Sequence, residues 1–223
     1  MTIKLTNVAR HFKGLPQQVK ALEYLQSQTS VEVMAEFERL WRTVEQPRVT
    51  GQNLYNIAMY NSLAKLNPFV VPLNEGFAKY QLNSALRVCH FIAQVMHESG
   101  EFAYQQEIAD GSEYEGRTNL GNTQPGDGMR FKGRGLIQVT GRSNYGQISK
   151  DLGIDYIANP QRLEQLPDCV NSAFWYWNSR NLNALADKDD LNGITRAING
   201  GLNGLEQRQE YLLRAKKELG IWF

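Results

Sequence analysis

The spacing of apolar side chains predicts helices from near the start of the chain. Residues 15–44 are predicted to form two short helices, because their apolar side chains recur at helical intervals. The second helix carries an amphipathic stripe of Val33, Met34, Phe37, Leu40, Trp41 and Val44. Thr29 and Ser30 are suitable N-caps for it. The polar stretch 45–51 contains Pro47 and Gly51 and is a predicted linker.

The rest of the chain predicts further helices around one long loop. Residues 52–100 are predicted to be mainly helical, with a break around Asn67, Pro68 and Pro72. Residues 110–135 are rich in glycine and polar side chains, which favours a loop with at most short strand pieces. Helices are predicted again at 144–152, 168–179, 187–197 and 205–219. The fold class is therefore all-α with a long functional loop and, at most, minor β structure.

This pattern predicts a small N-terminal helical module at residues 1–46 and a main domain at 50–223. Hydrophobic residues make up 42% of the chain and charged residues 21%, as in ordinary globular proteins. The net charge of +1 gives no electrostatic reason to bind nucleic acid or an acidic membrane. No run of 18 apolar residues is present, so no membrane span is predicted, and Met1–Arg10 lack the apolar core of a signal peptide.

The cysteines and histidines do not predict a metal site. Cys89 and Cys169 lie in apolar helical patterns and are interpreted as small buried thiols. His11, His90 and His97 show no ligand spacing. We therefore expect neither a metal nor a cofactor.

Two glutamates near the end of one predicted helix are candidates for acid–base chemistry. Glu98 follows a mostly apolar helix and precedes Gly100, and Glu107 comes nine residues later. A carboxyl group that is partly desolvated at such a break favours its protonated form. Two carboxyl groups in unlike surroundings are what glycoside hydrolysis requires. The alternative is an exposed helix end with ordinary surface glutamates.

Motifs in the following hundred residues favour the catalytic interpretation. In order they are His97–Phe102, Tyr114–Arg117, Leu120–Gly128, Phe131–Gly141, Asn144–Gly146 and Ile198–Gly204. Together they resemble family 19 glycoside hydrolases, in particular the bacterial and phage branch that includes phage endolysins. The resemblance runs from about Ala85 to Gly220. It implies a lysozyme-like, bilobal helical domain with a long active-site loop. It also places the helices of Cys89 and Cys169 in one domain, so a single disulfide between them stays an alternative to two free thiols.

The resemblance implies a role for each matching residue. Glu98 matches the general acid, Glu107 the general base of an inverting mechanism, and Thr140 a hydroxyl that holds the attacking water. An inverting pair needs about 6.5–9.5 Å between its carboxyl groups. The matching substrate-binding residues are Gln138, Asn144, Tyr145 and Asn199. For these the alternatives are a helix N-cap at Asn144, core packing at Tyr145 and simple turn geometry at Asn199; for Thr140 the alternative is a turn residue before Gly141.

Three charged residues have supporting roles. Arg208 matches the family arginine that pairs with cleft carboxylates and would hold Glu98 in place; the alternative is a solvated helix charge, and Arg214 is a weaker competitor. Glu115 and Arg117 are interpreted as a pair that braces the loop rather than binding substrate.

Two departures bear on the substrate. Chitin-cleaving plant members carry an aromatic residue where this chain has Ser143, and they carry several disulfides. The smaller side chain favours a bulkier, lactyl-bearing sugar. We therefore expect a peptidoglycan-cleaving endolysin, with a bacterial chitinase and a non-catalytic wall-binding protein as alternatives.

The resemblance also sets expectations for partners and location. The endolysin interpretation predicts binding to peptidoglycan glycan strands. The oligomeric state is open at this point, with a monomer as the default. The same interpretation predicts residence in the host cytoplasm until release to the cell wall, with a holin as the partner for export. The module 1–46 is either a wall-binding unit or a helical cap.

Overall fold

Ten α-helices run through the part of the chain that the computed structural model describes, which is Ser30 and residues 48–221. They are α1 Gly51–Ile57, α2 Leu63–Leu66, α3 Val70–Lys79, α4 Ala85–Glu98, α5 Asp127–Arg130, α6 Arg142–Leu152, α7 Asp168–Ser179, α8 Asn183–Ala186, α9 Leu191–Asn199 and α10 Leu205–Glu218. Short 3-10 turns lie at Asn67–Phe69, Ser112–Tyr114, Thr118–Leu120 and Pro160–Glu164. The predicted helical class is confirmed. The predicted helices within 15–44, and the module 1–46 apart from Ser30, lie outside the described residues.

The predicted helices differ from the observed ones mainly at their ends. Asn67 and Pro68 form a 3-10 turn, as the break predicted there suggests, but Pro72 lies inside the first turn of α3. Proline is tolerated at that position because first-turn amides have no helical acceptor. The helix predicted at 144–152 begins two residues earlier, and the one predicted at 187–197 is α9. The short helices α5 and α8 were not predicted.

Helix α4 lies at the centre of the domain. Its residues from Val88 to Met96 are all buried, so neighbouring helices cover it on every side. Helix α10 packs against it through the face that carries Arg208, Tyr211, Leu212, Ala215 and Lys216. Phe91 of α4 stacks on Phe174 of α7, with ring centroids 4.2 Å apart. This packing fixes the C-terminal end of α4, where Glu98 lies.

The glycine-rich segment between α4 and α6 is held by side-chain hydrogen bonds rather than by a sheet. Its β structure within the described residues is limited to the isolated bridges Gln106–Arg134 and Arg134–Val139. Asp127 is buried, and its carboxylate accepts bonds of 2.8 and 2.5 Å from Arg142. It also accepts from the backbone N–H groups of Thr123 and Gln124. This partly buried ion pair holds the predicted functional loop against α6.

The end of the predicted linker belongs to the domain. Val49 is buried, and its backbone N–H and C=O both bond to the Asn74 side chain, at 2.9 and 2.8 Å. Thr50 caps α1 in a reciprocal arrangement with Asn53. The prediction of a free linker up to Gly51 is therefore wrong for Val49–Gly51, because local hydrogen bonding fixes these residues.

The two cysteines are free, buried thiols, so the open alternative of a disulfide between them is not adopted. Burial raises the pKa of Cys89 and of Cys169 to about 12. Among the described helices, none has the length and apolar character needed to cross a bilayer.

Candidate active site

Glu98 is the last residue of α4, and a buried arginine holds its side chain. Arg208 of α10 is fully buried and donates to Glu98 Oε1 with one guanidinium nitrogen. A second nitrogen of Arg208 donates to Gln94 Oε1, one helical turn before Glu98. The Glu98 side chain remains 21% exposed. The structure therefore brings Glu98 and Arg208 together, with Glu98 fixed in orientation but open to solvent.

The chain reverses direction immediately after Glu98. Gly100, Glu101 and Phe102 have φ values of +55°, +59° and +65°, so two non-glycine residues adopt the left-handed conformation in succession. Such strain persists only where the surroundings impose it. Here the buried Glu101 carboxylate accepts the Tyr60 N–H at 2.9 Å and the Tyr211 hydroxyl at 2.9 Å. These bonds hold the turn that carries the chain from Glu98 towards Glu107.

Glu107 is half-buried, and each of its carboxylate oxygens has one protein donor. Oε1 accepts the backbone N–H of Gly133 at 2.7 Å, and Oε2 accepts the hydroxyl of Tyr114 at 2.9 Å. The backbone N–H of Glu107 donates to Gly133 O at 3.0 Å, which ties the two segments together. Desolvation and the neighbouring Glu107 carboxylate raise the pKa of Tyr114, so its hydroxyl remains a donor. The carboxylate is thus held rigidly while keeping free lone pairs.

Gly133, Gln138 and Thr140 surround the Glu107 carboxylate. A Cβ atom placed on Gly133 would lie 2.8 Å from Gln138 Oε1, 3.3 Å from Thr140 Oγ1 and 3.4 Å from Glu107 Cδ. The Thr140 hydroxyl donates to Gln138 O at 3.0 Å, so its lone pairs face outward as acceptors. Gln138 has a φ of +55°, and its amide donates to Gly135 O at 2.9 Å. The structure therefore brings Glu107, Thr140 and Gln138 around one small space.

The other predicted substrate-binding residues differ in exposure. Asn144 is exposed, and its side chain donates to Thr140 O at 2.8 Å. It is the third residue of α6, whose N-cap is Gly141, so Asn144 is not the N-cap. Asn199 is exposed at the C-terminal end of α9. Tyr145 is fully buried and donates to Lys132 O at 2.7 Å. The prediction that Tyr145 binds substrate is therefore replaced by the alternative of core packing, because its side chain is not exposed to solvent.

Glu115 and Arg117 both brace the loop, but they do so separately. Glu115 accepts the backbone N–H groups of Gly126 and Gly128, both at 2.7 Å. The Arg117 guanidinium lies over the Tyr114 ring at 5.7 Å. Arg117 therefore supports the tyrosine that contacts Glu107. Arg214, the weaker competitor of Arg208, pairs with Glu210 on the exposed side of α10.

Sequence reasoning did not identify three supporting residues. Tyr114 and Gly133 contact Glu107, and Gln94 contacts Arg208. The position of Gln94 four residues before Glu98, on an otherwise apolar helix, is a signal that could have identified it. Nothing in the local pattern distinguishes Gly133 from the neighbouring glycines.

Comparison with known proteins points to the family that the sequence motifs resemble. The family model described as "Chitinase class I" (Glyco_hydro_19) matches residues 88–194. A glycosyl hydrolase family 19 domain-containing protein of Haemophilus influenzae is 41% identical over 95 residues, covering 43% of this chain and 46% of that protein. An endochitinase of Arabidopsis thaliana is 35% identical over 155 residues, covering 66% of this chain and 53% of its own length. The chain thus spans about half the length of these relatives.

Solved structures agree on the fold. The crystal structure of chitinase C from Streptomyces griseus superposes with a TM-score of 0.64 at 24% identity, over 77% of this chain and 92% of that one. The class IV chitinase of Zea mays gives a TM-score of 0.55 over 74% of this chain and 83% of that one. Residues 88–194 therefore belong to a glycoside hydrolase family 19 domain.

Proposed function

We propose that this protein hydrolyses β-1,4 bonds between N-acetylated amino sugars with inversion of configuration. One observation carries the proposal: two glutamates on the same stretch of chain are held by different kinds of partner. Glu98 is paired with the buried Arg208, whereas Glu107 is held by the neutral donors Tyr114 and Gly133. Unlike surroundings allow two carboxyl groups to divide the work of acid and base.

Glu98 is the proposed general acid. Arg208 donates to Oε1, while Oε2 has no donor among the described residues, so Oε2 is the oxygen that would carry the proton. The proton passes to the glycosidic oxygen as the bond between this oxygen and the anomeric carbon breaks. Arg208 fixes the direction of Oε2, which matters because proton transfer requires close alignment of donor and acceptor.

Glu107 is the proposed general base, and Thr140 positions the water. A water between Glu107 and Thr140 donates one hydrogen to the carboxylate and one to the Thr140 hydroxyl oxygen. Its oxygen attacks the anomeric carbon while Glu107 takes the proton. Tyr114 and Gly133 limit the movement of the carboxylate during this step.

Peptidoglycan glycan strands are the proposed polymer, in an endolysin that lyses a bacterial host. The support is the small, exposed Ser143 at the position where plant chitinases carry an aromatic residue, which leaves room for a lactyl substituent. Chitin is the second candidate, because the relatives from Arabidopsis thaliana and Zea mays are named endochitinases.

The mechanism is tested by replacing Glu98 with glutamine. Glu98→Gln keeps the shape of the side chain but carries no transferable acid proton, so activity should fall by about 10²- to 10⁴-fold. The matched control is Glu210→Gln, an exposed glutamate of α10, which should keep full activity. Retention of more than a tenth of the activity by Glu98→Gln, about 1.4 kcal/mol in the barrier, contradicts the assignment. Proton NMR during hydrolysis should show the α-anomer first; an initial β-anomer contradicts inversion.

The polymer is tested by digesting purified sacculi and glycol chitin with the same preparation. Mass spectrometry of the released muropeptides identifies the new reducing end and therefore the bond that is cut. Release from sacculi with weak action on glycol chitin supports the endolysin. The opposite preference establishes the chitinase instead.

A further inference from the structure

A polar cavity of about 440 Å³ lies at the N-terminal end of α4, the helix whose other end carries Glu98. We call it the asparagine pocket; the residues that matter here are Lys79, Tyr80, Gln81, Arg87, Asn178 and Asn181. Its volume is within the range of about 300–1,000 Å³ that is typical of small-molecule sites. Four of these six residues precede residue 88, where the match to the family model begins. The pocket is therefore only partly built from the matched domain.

The asparagine pocket offers polar side-chain groups that other side chains do not engage. Lys79, Gln81, Asn178 and Asn181 are exposed, and their side chains make no hydrogen bond or ion pair within the part of the chain that the structure describes. The Lys79 ammonium lies over the Tyr80 ring, 5.2 Å from its centroid. Three amides and one ammonium group are therefore available to a ligand.

The charge of the pocket lining is positive. Arg87 also lines the pocket, but Asp187 neutralises its guanidinium with bonds of 2.7 and 2.6 Å. Arg87 donates further to Gln81 O at 2.7 Å, so this arginine holds the wall in place. Lys79 has no carboxylate partner among the described residues, so the lining keeps the net charge of one ammonium group.

The walls of the asparagine pocket are fixed before any ligand arrives. Asn183 Nδ2 donates to Tyr80 O at 3.2 Å, and Asn183 Oδ1 accepts the indole N–H of Trp177 at 2.8 Å. Gln81 and Asn181 both have a left-handed backbone, with φ values of +58° and +51°. The Asn183 bonds join the end of α3 to the end of α7, so little ordering is left to be done on binding.

This combination fits an acidic peptide better than a sugar ring. Amide side chains pair with peptide bonds, because each offers an N–H donor and a carbonyl acceptor. An ammonium group binds a carboxylate through charge-assisted hydrogen bonds. A sugar ring packs on an open aromatic face, but the Tyr80 ring is stacked on Phe174, with ring centroids 5.4 Å apart, and Lys79 lies over it.

The end of α7 connects the asparagine pocket with the predicted substrate-binding residue Asn199. Two residues before Asn178, the Tyr176 hydroxyl donates to the carbonyls of Ala197 and Ile198, both at 3.3 Å. Asn199 follows directly in the chain. The pocket is therefore joined to the substrate side of α9 by one turn of α7.

The distance to the proposed acid suits a short peptide. Arg87 precedes Glu98 by about three turns of α4, or roughly 16 Å along the helix axis. An extended peptide of five residues spans about the same distance. In peptidoglycan, the lactyl group of the glycan strand carries such a peptide, and the peptide bears free carboxylates.

We propose that the asparagine pocket binds the acidic stem peptide of a peptidoglycan strand whose glycan lies at Glu98. The amides of the pocket pair with the peptide backbone, and Lys79 binds one of its carboxylates. This inference rests on the proposed function, because chitin carries no such peptide. It gives the protein a means of distinguishing the two polymers that is separate from the space beside Ser143.

The experiment compares glycan oligomers of equal length with and without their stem peptides. Wild-type protein and the double variant Lys79→Gln/Asn181→Gly are assayed on both substrates. Glycine keeps the left-handed backbone at residue 181 without strain, so the double variant removes only side-chain groups. Lys217→Gln is the matched control, since this exposed lysine in the last turn of α10 does not line the pocket. We expect kcat/KM of the double variant to fall at least fivefold on the peptide-bearing oligomer and to change by less than twofold on the peptide-free one.

Binding is measured separately from cleavage by calorimetric titration of the isolated stem peptide. Wild-type protein and Lys217→Gln should bind it at least fivefold more tightly than the double variant does. They should also bind it at least fivefold more tightly than the same peptide with its carboxylates amidated. If the double variant does not fold, Lys79→Gln alone provides the same comparison, because this side chain is exposed.

The outcomes separate the pocket from the proposed function. A wild-type protein that cleaves no peptidoglycan contradicts the proposed function, while the titration still decides whether the pocket binds an acidic peptide. The pocket proposal is overturned if the stem peptide does not bind, or if the double variant or the amidated peptide binds as tightly as the wild-type pair. It is also overturned if the double variant loses activity equally on both oligomers or on neither.

Discussion

Gly133 provides the sharpest test of the proposed base and its water. The substitution Gly133→Ala adds one methyl group at the centre of the space that Glu107, Gln138 and Thr140 surround. The backbone φ of Gly133 is not in the left-handed region, so alanine introduces no backbone strain there. The added carbon lies 2.8 Å from Gln138 Oε1, well inside van der Waals contact. Any effect therefore comes from the occupied space itself.

The cost to stability should be small and the cost to activity large. Gln138 can move away only by giving up its bond to Gly135 O, and overpacking of this kind costs about 1–3 kcal/mol. The lower unfolded-state entropy of alanine offsets about 0.4–1 kcal/mol of this. A displacement of the water by about 1 Å costs roughly 100-fold in rate, or about 2.7 kcal/mol in the barrier. We therefore expect a folded protein with about a hundredth of the wild-type kcat.

Gly146→Ala is the matched control. Gly146 lies inside α6, and a Cβ atom there meets nothing within 4 Å. The control should keep its kcat and gain up to about 1 kcal/mol of stability. The assay is kcat on a soluble oligosaccharide together with urea unfolding of each variant. If Gly133→Ala folds and keeps more than a third of the wild-type kcat, the space beside Glu107 does not hold the attacking water.

Three other predictions follow from individual contacts. Tyr114→Phe removes one donor to Glu107, so kcat should fall about tenfold with almost unchanged urea unfolding; an unchanged kcat contradicts the positioning role. The hydrogen bond from Arg142 holds the pKa of Asp127 below its usual value, so ionised Asp127 stabilises the folded protein. This contribution to the free energy of unfolding is present above about pH 4 and is lost as the pH falls through the folded-state pKa. Urea unfolding from pH 7 to 2 should show a shallower acid loss in Asp127→Asn than in wild type, and equal slopes refute the assignment. A chain that starts at Arg48 should cleave soluble fragments at the wild-type rate. A chain that starts at Gly51 lacks Val49 and the Thr50 cap, so its free energy of unfolding should be about 2–4 kcal/mol lower. Equal stability of the two chains contradicts a domain boundary before Val49.

Local pattern predicts the central helices because their buried residues form mostly apolar stretches of helical length. The buried run from Val88 to Met96 and the aromatic residues of α7 are visible in the sequence as apolar stretches. The ends of the helices are less predictable, since they depend on capping contacts that form only in the folded chain. Thr50 caps α1 through Asn53, and the backbone of Val49 next to it is hydrogen-bonded by the side chain of Asn74, which lies 25 residues away. A polar stretch with proline and glycine gives no sign of that distant partner.

The two candidate glutamates could be proposed from motifs, but the contacts that support them could not. Glu98 and Glu107 stand in recognisable sequence surroundings, whereas the partner of each comes from a segment distant in sequence or from the backbone. Arg208 lies 110 residues from Glu98. Glu107 is held by the backbone N–H of Gly133, a group that no side-chain pattern reveals. Periodicity cannot identify a backbone donor, because every residue type except proline supplies the same group.

Glu101 shows how a charged side chain can be structural in a place where sequence suggests the surface. The charge, the neighbouring Gly100 and the helix end at Glu98 all favour an exposed turn residue. In the folded chain Glu101 is only 2% exposed, and its carboxylate is satisfied by backbone N–H groups and by Tyr211. A buried carboxylate without these donors would be costly, so the hydrogen bonds and the left-handed turn stabilise each other. The same residue thereby fixes the turn that leads from Glu98 towards Glu107, so one buried carboxylate helps to position both candidate glutamates.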